Sequence, residues 1–395
     1  MEVLTATYAG RVKLIYSDPP FNTGRTDFAA YDDALDTSVW LSMMEERLRL
    51  ACDLLRPDGT IAIHIGTGQA GNLRALMDEI FGAENFLNQI CVAATPPSGF
   101  RITGAALLTS ANYILLYAKD RTQRPLTRLY RERNYDFQYR YFLENREDSS
   151  EHWHWRPVQE VVAEKLGFRS PAEARRRVGA DAFKLELAKL ATRDADRVFR
   201  LAVIRGGARQ KRLTTITRSL KYPGRVFIHP GENLRDFYIL NGNQMLFYDR
   251  RLAKVNGQTV PAEPLSDIWA DIPWTGIASE GGVRLKDGKK PETLLARVIN
   301  LGSSPGDLVL DFFGGSGTTA AVAHKLDRQW ISIEASPDNH RLSRKRLQRV
   351  INGTDTSGIA KTIRWTGGGG FRELVMKAGK QAGHSRPAHV INITP

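Results

Sequence analysis

Cysteine and long apolar runs are what this sequence lacks. Only Cys52 and Cys91 occur among its 395 residues, and because they form no metal-spaced cluster we interpret them as buried free thiols. No stretch of about 18 apolar residues is present, which argues against a transmembrane helix. The first 30 residues already hold Asp18 and a strand-like segment, which argues against a signal peptide. We therefore expect a cytoplasmic protein with no membrane partner.

Negative charge is scarce relative to positive charge. The chain has 56 Lys and Arg against 43 Asp and Glu, a formal net charge of +13. Phosphates attract Lys and Arg through counterion release, so the balance favours an anionic polymer as partner. A membrane surface is the competing interpretation. Apolar residues make up 42% of the chain, enough to build cores for two or three structural units.

Much of the positive charge lies in residues 121–220, which hold 23 Lys and Arg against 13 Asp and Glu. Concentrated charge of this kind is expected of a nucleic-acid-binding surface, and a solvated helical face is the alternative. The run His152-Trp153-His154-Trp155 has no Cys and no further His nearby, so we favour aromatic packing or stacking on DNA and predict no metal site. The residues that we expect to bind DNA are Arg175, Arg176, Arg177, Arg209, Lys211 and Arg212.

Strand-like and helix-like segments alternate on both sides of this basic segment. Such alternation predicts an α/β fold, a doubly wound and mostly parallel sheet with helices on both faces. Ser336 is predicted to cap the last long helix. The predicted helices are 39–50, 73–81, 291–301, 319–326 and 337–351; the predicted strands are 60–65, 113–117, 308–310 and 330–334. A turn is predicted at 56–59, short strands and turns at 221–265, and loops with one or two short strands after residue 353.

A glycine-rich loop follows the strand 308–310 and opens the helix 319–326, a strand-to-helix turn where the backbone can approach a ligand. The spacing also fits a dinucleotide-binding pattern with Glu334 as the ribose-binding acid, so a nicotinamide oxidoreductase is the rival from another class. The carboxylate of Asp311 is suited to accept hydrogen bonds from an ammonium group. Two phenylalanines follow it, at positions where a pyrophosphate would need exposed backbone N–H groups. These details favour S-adenosylmethionine. The predicted cofactor residues of this loop and of the following strand are Asp311, Phe312, Phe313, Gly315, Ser316, Gly317, Thr318, Thr319 and Glu334.

A second loop, Asp18-Pro19-Pro20-Phe21, follows the apolar run 12–16 near the start of the chain. A carboxylate, rigid prolines and an aromatic face can form a site for a flat, amino-bearing base: Asp18 accepts one amino hydrogen, the carbonyl of Pro19 accepts the other, and Phe21 stacks on the ring. The alternative interpretation is a strand that ends in a rigid turn and has no role in binding or catalysis. Methylation at cytosine C5 would need a Pro-Cys nucleophile, which neither cysteine provides.

These motifs resemble those of amino-methylating DNA methyltransferases, and within them the Mod subunits of type III restriction systems. The similarity lies in Asp-Pro-Pro-Phe-Asn-Thr-Gly at 18–24, in residues 275–283 and 288–292, in the Asp-Phe-Phe loop and in Gly-Gly-Gly-Gly-Phe at 367–371. Catalytic loop before cofactor loop is the order of the beta class. The resemblance covers both ends of the chain well and the middle poorly. The segment that begins at Lys290 resembles the one that packs beside the methionine end of the cofactor in this family, so the resemblance implies Lys290 as a cofactor-binding residue.

The resemblance implies methyl transfer from S-adenosylmethionine to adenine N6 of a base flipped out of duplex DNA. Cytosine N4 is the alternative target, and a non-catalytic DNA-binding relative is a further one. Double-stranded DNA is the implied partner, with a restriction subunit and a second copy of the chain as further candidates. The implied organisation is a catalytic half in 1–120, an inserted target-recognition domain in 121–265, a cofactor-binding half in 266–355 and an extension in 356–395.

Overall fold

The chain forms two compact units in the computed structural model. One unit combines Met1–Leu129 with Leu265–Pro395, and the other is Tyr130–Pro264. The structure describes residues 1–25, 33–94, 109–123, 126–231, 236–255, 257–285, 288–376 and 389–393.

Helices and strands are numbered here in chain order. The α-helices are α1 (Glu2–Tyr8), α2 (Thr37–Leu54), α3 (Thr67–Phe81), α4 (Val158–Lys165), α5 (Pro171–Val178), α6 (Ala180–Arg193), α7 (Gly206–Lys211), α8 (Leu213–Lys221), α9 (Glu292–Gly302), α10 (Thr318–Lys325), α11 (Pro337–Ile351) and α12 (Ala360–Ile363). The strands are β1 (Val12–Ser17), β2 (Leu55–Gly66), β3 (Phe86–Ala93), β4 (Ala111–Ala118), β5 (Tyr130–Glu132), β6 (Tyr141–Leu143), β7 (Trp155–Pro157), β8 (Val198–Val203), β9 (Val226–His229), β10 (Phe237–Leu240), β11 (Asn243–Phe247), β12 (Leu252–Val255), β13 (Gln258–Pro264), β14 (Ile268–Trp269), β15 (Leu308–Asp311), β16 (Gln329–Glu334), β17 (Arg372–Met376) and β18 (His389–Ile393).

The first unit is built on a nine-stranded sheet in the order β14-β3-β4-β2-β1-β15-β16-β18-β17. Its centre is parallel, because β1 pairs in parallel with both β2 and β15, and β15 pairs in parallel with β16. Among the described strands, β4 and β18 run against their neighbours. The predicted α/β fold with a mostly parallel sheet is therefore confirmed.

Side chains of successive residues in β1 lie on opposite faces of the sheet, as expected of a pleated strand. Ile15 belongs to the apolar cluster that contains Trp40 and Met44 of α2. Leu14 belongs to the cluster on the other face, which contains Leu295 of α9. Both faces of this buried strand are covered by helices, which explains why its sequence is apolar throughout.

The predicted turn at 56–59 is wrong. These residues belong to β2, and the pairing register between β1 and β2 shifts between Val12 and Leu14. Lys13 donates to the carboxylate of Asp58 at 2.7 Å, which holds the polar residues of the irregular segment within the sheet. Turn-forming residue types here accommodate a bulge instead of ending the strand.

The second unit is mainly antiparallel and carries the helices α4 to α8. One sheet has the order β7-β6-β8-β11-β10-β9, and a three-stranded sheet has the order β12-β13-β5. The short strands predicted in 221–265 are present as β9 to β13. Its largest core cluster includes Tyr139, Phe183 and Leu187, which pack helices onto the strands. Target recognition by this unit stays a prediction.

Candidate active site

Two loops meet at one edge of the central sheet. Asp18 directly follows β1, and Asp311 is the last residue of β15. Because β1 and β15 are parallel neighbours, their carboxyl ends lie at the same edge, where open α/β sheets bind ligands. The hydroxyl of Ser17 donates to Asp311 Oδ1 at 3.2 Å and links the two loops directly.

The carboxylate of Asp18 has two unequal oxygens. Oδ2 accepts from Lys290 Nζ at 2.5 Å. Oδ1 is buried and has no hydrogen-bond partner among the described residues. Burial raises the pKa of Asp18, and the ammonium of Lys290 opposes that rise. The loop therefore presents one anchored oxygen and one acceptor that a ligand can satisfy.

The rest of the first loop is held by residues beyond the motif. The Trp40 indole donates to the carbonyl of Pro20 at 2.9 Å, so this carbonyl is already used by the protein. Phe21 is half-buried and lies against Gly66, where a Cβ would be 2.9 Å from the ring. The carboxylate of Asp33 accepts from the backbone N–H groups of Asn22, at 2.8 Å, and Thr23, at 3.1 Å.

Asp311 is fully enclosed by donors from its own loop and from β1. Its Oδ2 accepts from the Thr319 hydroxyl at 2.6 Å, and its Oδ1 accepts from the Phe313 N–H at 3.0 Å as well as from Ser17. Burial is the main cause that raises the pKa of Asp311 to about 7, against these hydrogen bonds, and the nearby charge of Asp18 raises it further. A cationic ligand group would relieve this cost.

The glycine-rich loop is packed tightly against β16 and α11. Gly317 caps α10 with a φ of +74°, and a Cβ there would collide with the side chain of Ser343. The Gly314 N–H donates to the carbonyl of Ile333 at 2.8 Å. These contacts require glycine and hold the backbone in place at the start of α10.

The predicted cofactor side chains in this loop have different surroundings. Phe312 is part of the core, whereas Phe313 is half-buried under Arg47, whose guanidinium lies 5.6 Å from the ring centre. Thr318 accepts from Arg346 at 2.6 Å, and the hydroxyl of Ser316 is 3.4 Å from that of Thr318. Phe313 is thus the aromatic ring of this loop that is best placed to contact a ligand.

Glu334 ends β16 beside the glycine-rich loop. One carboxylate oxygen accepts from the Gly315 N–H at 2.7 Å and the other from the Ser336 N–H at 2.6 Å. Burial raises the pKa of Glu334, and these backbone donors oppose the rise. Hydrogen bonding of this carboxylate to ribose hydroxyls stays a prediction.

This donor set fits S-adenosylmethionine better than a dinucleotide. The carboxylates of Asp18 and Asp311 lie at the ends of their strands. Their negative charges attract a sulfonium or an ammonium and repel a pyrophosphate. In the glycine-rich loop the ligand-facing groups are backbone, hydroxyls and Phe313. The residues that would hold the cofactor are therefore those of the loop 311–319 together with Glu334.

Comparison with known proteins agrees with this geometry. Residues 12–345 match a family described as DNA methylase. The chain belongs to the DNA methylase family. The resemblance inferred from the motifs is thereby confirmed, and the nicotinamide oxidoreductase is excluded.

Individual relatives are similar over most of this chain. A probable type III restriction-modification enzyme HindVI Mod subunit of Haemophilus influenzae is 33% identical over 93% of this chain and 51% of its own length. The type II methyltransferase M.EcaI of Enterobacter cloacae is 28% identical over 82% of this chain and 62% of its own length. The crystal structure of TTHA0409 from Thermus thermophilus, complexed with S-adenosyl-L-methionine, is 17% identical, covers 88% of this chain and 90% of its own, and has a TM-score of 0.41. The chain spans about half the length of the HindVI Mod subunit.

Two features beside the Asp18 loop are not predicted from the sequence, namely the contacts of Lys290 and the position of His64. Binding of the cofactor by Lys290 stays a prediction. Among the described residues, Lys290 contacts Asp18, the Gly288 carbonyl and the ring of Phe21, whose centre is 4.9 Å from Nζ. His64 lies beside Phe21, at 5.7 Å between ring centres, and its Nδ1 is 3.0 Å from the Tyr16 hydroxyl. Burial lowers the pKa of His64 well below its usual value, so the ring is neutral. An isolated His in an apolar strand was the available signal.

The predicted DNA-binding residues all lie in the second unit of this family member. Arg175, Arg176 and Arg177 are exposed on α5, whose N-terminus is capped by Ser170. Arg209 and Lys211 are exposed on α7. The remaining one, Arg212, is half-buried, and its guanidinium lies 4.1 Å from the ring centre of Phe237. All of these residues except Arg212 are therefore exposed enough to reach a phosphate.

The aromatic run 152–155 contains one clear structural residue. Trp153 is buried in the second unit beneath the guanidinium of Arg146, 4.5 Å away, and its indole donates to the carbonyl of Asp148 at 3.0 Å. This confirms aromatic packing for Trp153. Across the described parts of the chain there is no cluster of three or more His, Cys, Asp or Glu able to hold a metal, nor any helix long and apolar enough to cross a bilayer.

Proposed function

We propose that this chain transfers a methyl group from S-adenosylmethionine to the N6 amino group of an adenine flipped out of duplex DNA. The observation that carries the proposal is the meeting of the Asp18 loop and the Asp311 loop at one sheet edge, joined by the Ser17–Asp311 hydrogen bond. One loop suits an amino-bearing base and the other suits a cationic cofactor. Membership of the DNA methylase family supports the same pairing.

S-adenosylmethionine, when bound, supplies a methyl group whose bonding electrons stay with the sulfur as the methyl leaves. Asp311 would bind the ammonium end, because its buried carboxylate stands at the end of β15 and a cation would offset the cost of its burial. Glu334 orients the ribose through its two oxygens. The glycine-rich loop lets the backbone approach, since a side chain at Gly317 would collide with Ser343.

Asp18 and Pro19 act on the target amino group. The carboxylate of Asp18 accepts one N–H and the carbonyl of Pro19 accepts the other, while the Pro20 carbonyl is held by Trp40. Two acceptors draw the nitrogen toward tetrahedral geometry and free its lone pair, which forms the new N–C bond. The nitrogen then loses one proton, for which the Asp18 carboxylate is the acceptor.

The base must leave the duplex to reach this loop, because its amino group is otherwise paired and stacked. Phe21 is half-buried, and its ring offers a face on which the flipped base stacks. Unstacking costs a few kcal/mol, which stacking and the two hydrogen bonds offset. Transfer is direct and involves no covalent bond between the base and the protein.

The decisive experiment is incubation of the protein with S-adenosylmethionine and mixed-sequence duplex DNA, followed by nucleoside mass spectrometry. We expect N6-methyladenine in the DNA and none when the cofactor is left out. N4-methylcytosine alone would make cytosine the target. DNA binding without any methylated nucleoside would indicate a non-catalytic relative and would contradict the proposal.

A second expectation concerns the three arginines of α5. Replacing Arg175, Arg176 and Arg177 with glutamine should weaken DNA binding and flatten its salt dependence, by roughly 0.9 units of log–log slope for each phosphate that the variant no longer neutralises. The reason is that each arginine at a phosphate releases condensed counterions. Fluorescence anisotropy of labelled duplex DNA at several salt concentrations measures the slope.

The control for this variant removes the same charge from the neighbouring helix. Lys184, Lys189 and Arg193 of α6 pair with adjacent carboxylates, so their replacement with glutamine should leave the slope nearly unchanged. An equal loss of slope in both variants would mean that net charge alone matters. An unchanged slope in the α5 variant would make α5 a solvated face.

A third expectation is that cofactor binding depends on pH through Asp311. The folded-state pKa of Asp311 is raised to about 7, so the carboxylate binds a proton as the pH falls below neutrality. Since only the ionised form attracts an ammonium, affinity for S-adenosylmethionine should fall roughly tenfold between about pH 7 and pH 5.5. Calorimetry measures the affinity. Asp311→Asn should bind more weakly at both pH values without this dependence, and a parallel decline in both proteins would contradict the role of Asp311.

We also keep three wider expectations as proposals. Double-stranded DNA is the substrate, a restriction subunit and a second copy of the chain are candidate partners, and the cytoplasm is the expected location. The net charge of +13 supports the first of these. Similarity to Mod subunits of type III systems supports the restriction subunit.

A further inference from the structure

The pair formed by Lys290 and Asp18 joins residues that are 272 positions apart in the chain. Their side chains are only 9% and 18% exposed, so the contact is shielded from solvent and from salt. Lys290 also donates to the carbonyl of Gly288 at 3.2 Å, which fixes the direction of its ammonium. Because its ammonium is held by a second acceptor, Lys290 fixes the position of the Asp18 carboxylate.

The remaining oxygen of Asp18 is unsatisfied. Oδ1 is buried without a hydrogen-bond partner among the described residues, an arrangement that costs free energy in the resting protein. A donor from the target base would recover that cost only when it binds. Because Lys290 already occupies Oδ2, the incoming donor has one defined oxygen to meet.

We propose that Lys290 is a positioning residue for the target base, which keeps Asp18 ionised by holding Oδ2 and thereby presents Oδ1 as an obligatory acceptor. This inference rests on the proposed function and deepens it. An ionised carboxylate accepts and never donates, so the site selects bases whose edge carries an amino group and disfavours those that present a carbonyl there. Lys290 acts through Asp18 and does not touch the reacting nitrogen.

Other titratable groups around Asp18 do not take over this role. Tyr16 on β1 is buried and the pKa of its hydroxyl is raised well above its usual value, so it stays protonated. His64 on β2 is neutral, because burial and the charge of Lys290 lower its pKa. Asp311 carries a negative charge when ionised, which disfavours ionisation of Asp18. Among these groups Lys290 alone is a cation paired with the carboxylate.

The test compares the pH dependence of methyl transfer in Lys290→Met, Lys290→Arg and the unaltered protein. Loss of an opposite charge at this distance raises a carboxylate's pKa by about one to three units. The acidic limb of the initial rate of labelled methyl incorporation into DNA should therefore move to higher pH in Lys290→Met. The rate should therefore fall by a larger factor at about pH 6 than at about pH 8.5, with a limit of roughly tenfold for each unit by which the pKa rises. Lys290→Arg should restore most of the unaltered profile.

Lys13→Met provides the matched control. The side chain of Lys13 is 9% exposed, like that of Lys290, and pairs at 2.7 Å with Asp58, which is 33% exposed. Since this pair does not include a residue of the two loops, loss of Lys13 should not move the pH profile. A merely structural role for Lys290 predicts the same fractional loss of rate at every pH. An unmoved acidic limb in Lys290→Met would overturn the inference.

Stability gives a second readout that needs neither cofactor nor DNA. In Lys290→Met the unpaired Asp18 escapes its burial cost only by binding a proton, so destabilisation relative to the unaltered protein should be larger at about pH 8 than at about pH 5. In an Asp18→Asn background this pH dependence should vanish. If the unaltered protein methylates nothing, the proposed function fails while this readout still decides whether Lys290 sustains the ionised carboxylate. A pH-independent difference in stability would count against the inference.

Discussion

Replacing Asp18 with alanine is expected to lower the turnover of methyl transfer by about a hundredfold or more. The carboxylate acts mainly in the transition state, where it accepts from the amino group while the nitrogen becomes tetrahedral. Affinities for S-adenosylmethionine and DNA should stay near normal, because the cofactor contacts belong to the loop 311–319. Single-turnover rates and separate binding titrations distinguish the two effects.

The variant needs two controls. Loss of Asp18 leaves Lys290 buried without its partner, so Asp18→Asn and a melting curve are needed to separate lost chemistry from lost folding. Asp58→Ala removes a carboxylate from the same unit, away from the two loops, and should retain normal turnover. An active Asp18→Ala protein would falsify the role assigned to this carboxylate.

Elements with strong local patterns could be predicted from the sequence. The apolar spacing in 39–50 lies within α2, and the apolar run 308–310 lies within β15. Ser336 caps α11 through the Asn339 N–H at 3.4 Å, as its position before a proline predicted. In each case the information that decides the structure lies within a few residues.

The predicted turn at 56–59 was wrong for a reason that lies outside those residues. Arg56-Pro57-Asp58-Gly59 has turn composition, but Lys13 on the neighbouring strand holds Asp58, and Arg56 reaches Asp307 at 3.1 Å. Contacts from β1 and from the segment before β15 keep the irregular segment inside the sheet. Tertiary contacts outweighed local propensity here.

The candidate site could be located from the sequence, but the hydrogen bonds and ion pairs between its residues could not be predicted. Both motifs were visible, and adjacent parallel strands explain why they meet. The Ser17–Asp311 and Lys290–Asp18 contacts span 294 and 272 positions, and no periodicity encodes such partners. Lys290 was accordingly assigned to the cofactor on resemblance, whereas its position beside Asp18 became visible only in three dimensions.

Basic helices show the same limit. The helix α11 holds several arginines, yet Arg346 is 0% exposed and donates to Glu292 at 2.7 Å. Charge in a sequence does not reveal which face of a helix it lies on unless the buried partner is known. Arg341 and Arg344, by contrast, are largely exposed.

That buried arginine belongs to an ion network beside the glycine-rich loop. Glu292, at the start of α9, accepts from Lys325 at 2.8 and 2.9 Å and from Arg346 at 2.7 Å. Lys325 also donates to Asp355 at 2.6 Å. Arg346 in turn donates to Thr318 at the start of α10. The network thus connects the segment that carries Lys290 with the glycine-rich loop.

Glu292→Ala is expected to destabilise the unit that contains the nine-stranded sheet by about 3–5 kcal/mol. Glu292 and Lys325 are both fully buried, and removal of this carboxylate leaves Asp355 at 2.6 Å as the counter-charge of Lys325 and Glu280 at 3.9 Å as that of Arg346. A buried charge without a counter-charge lowers the stability of the fold strongly. The intact ion pair of Glu292 and Lys325, by contrast, adds little net stability, because the attraction between the charges is offset by the cost of removing them from water. Chemical denaturation measures the loss. Weaker S-adenosylmethionine binding should accompany it, because Arg346, the hydrogen-bond partner of Thr318, loses the carboxylate that holds it.

A matched glutamate on the surface shows whether burial is the cause. Glu45 pairs with Arg49 at 2.8 Å, but these side chains are 43% and 52% exposed, so Glu45→Ala should leave the denaturation midpoint nearly unchanged. Glu292→Gln keeps the volume and one acceptor oxygen while removing the charge, and we expect it to fall between the unaltered protein and Glu292→Ala. If Glu292→Ala unfolds at the same denaturant concentration as Glu45→Ala, then Asp355, Glu280 or water compensates the two cations, and the network does not hold the glycine-rich loop in place.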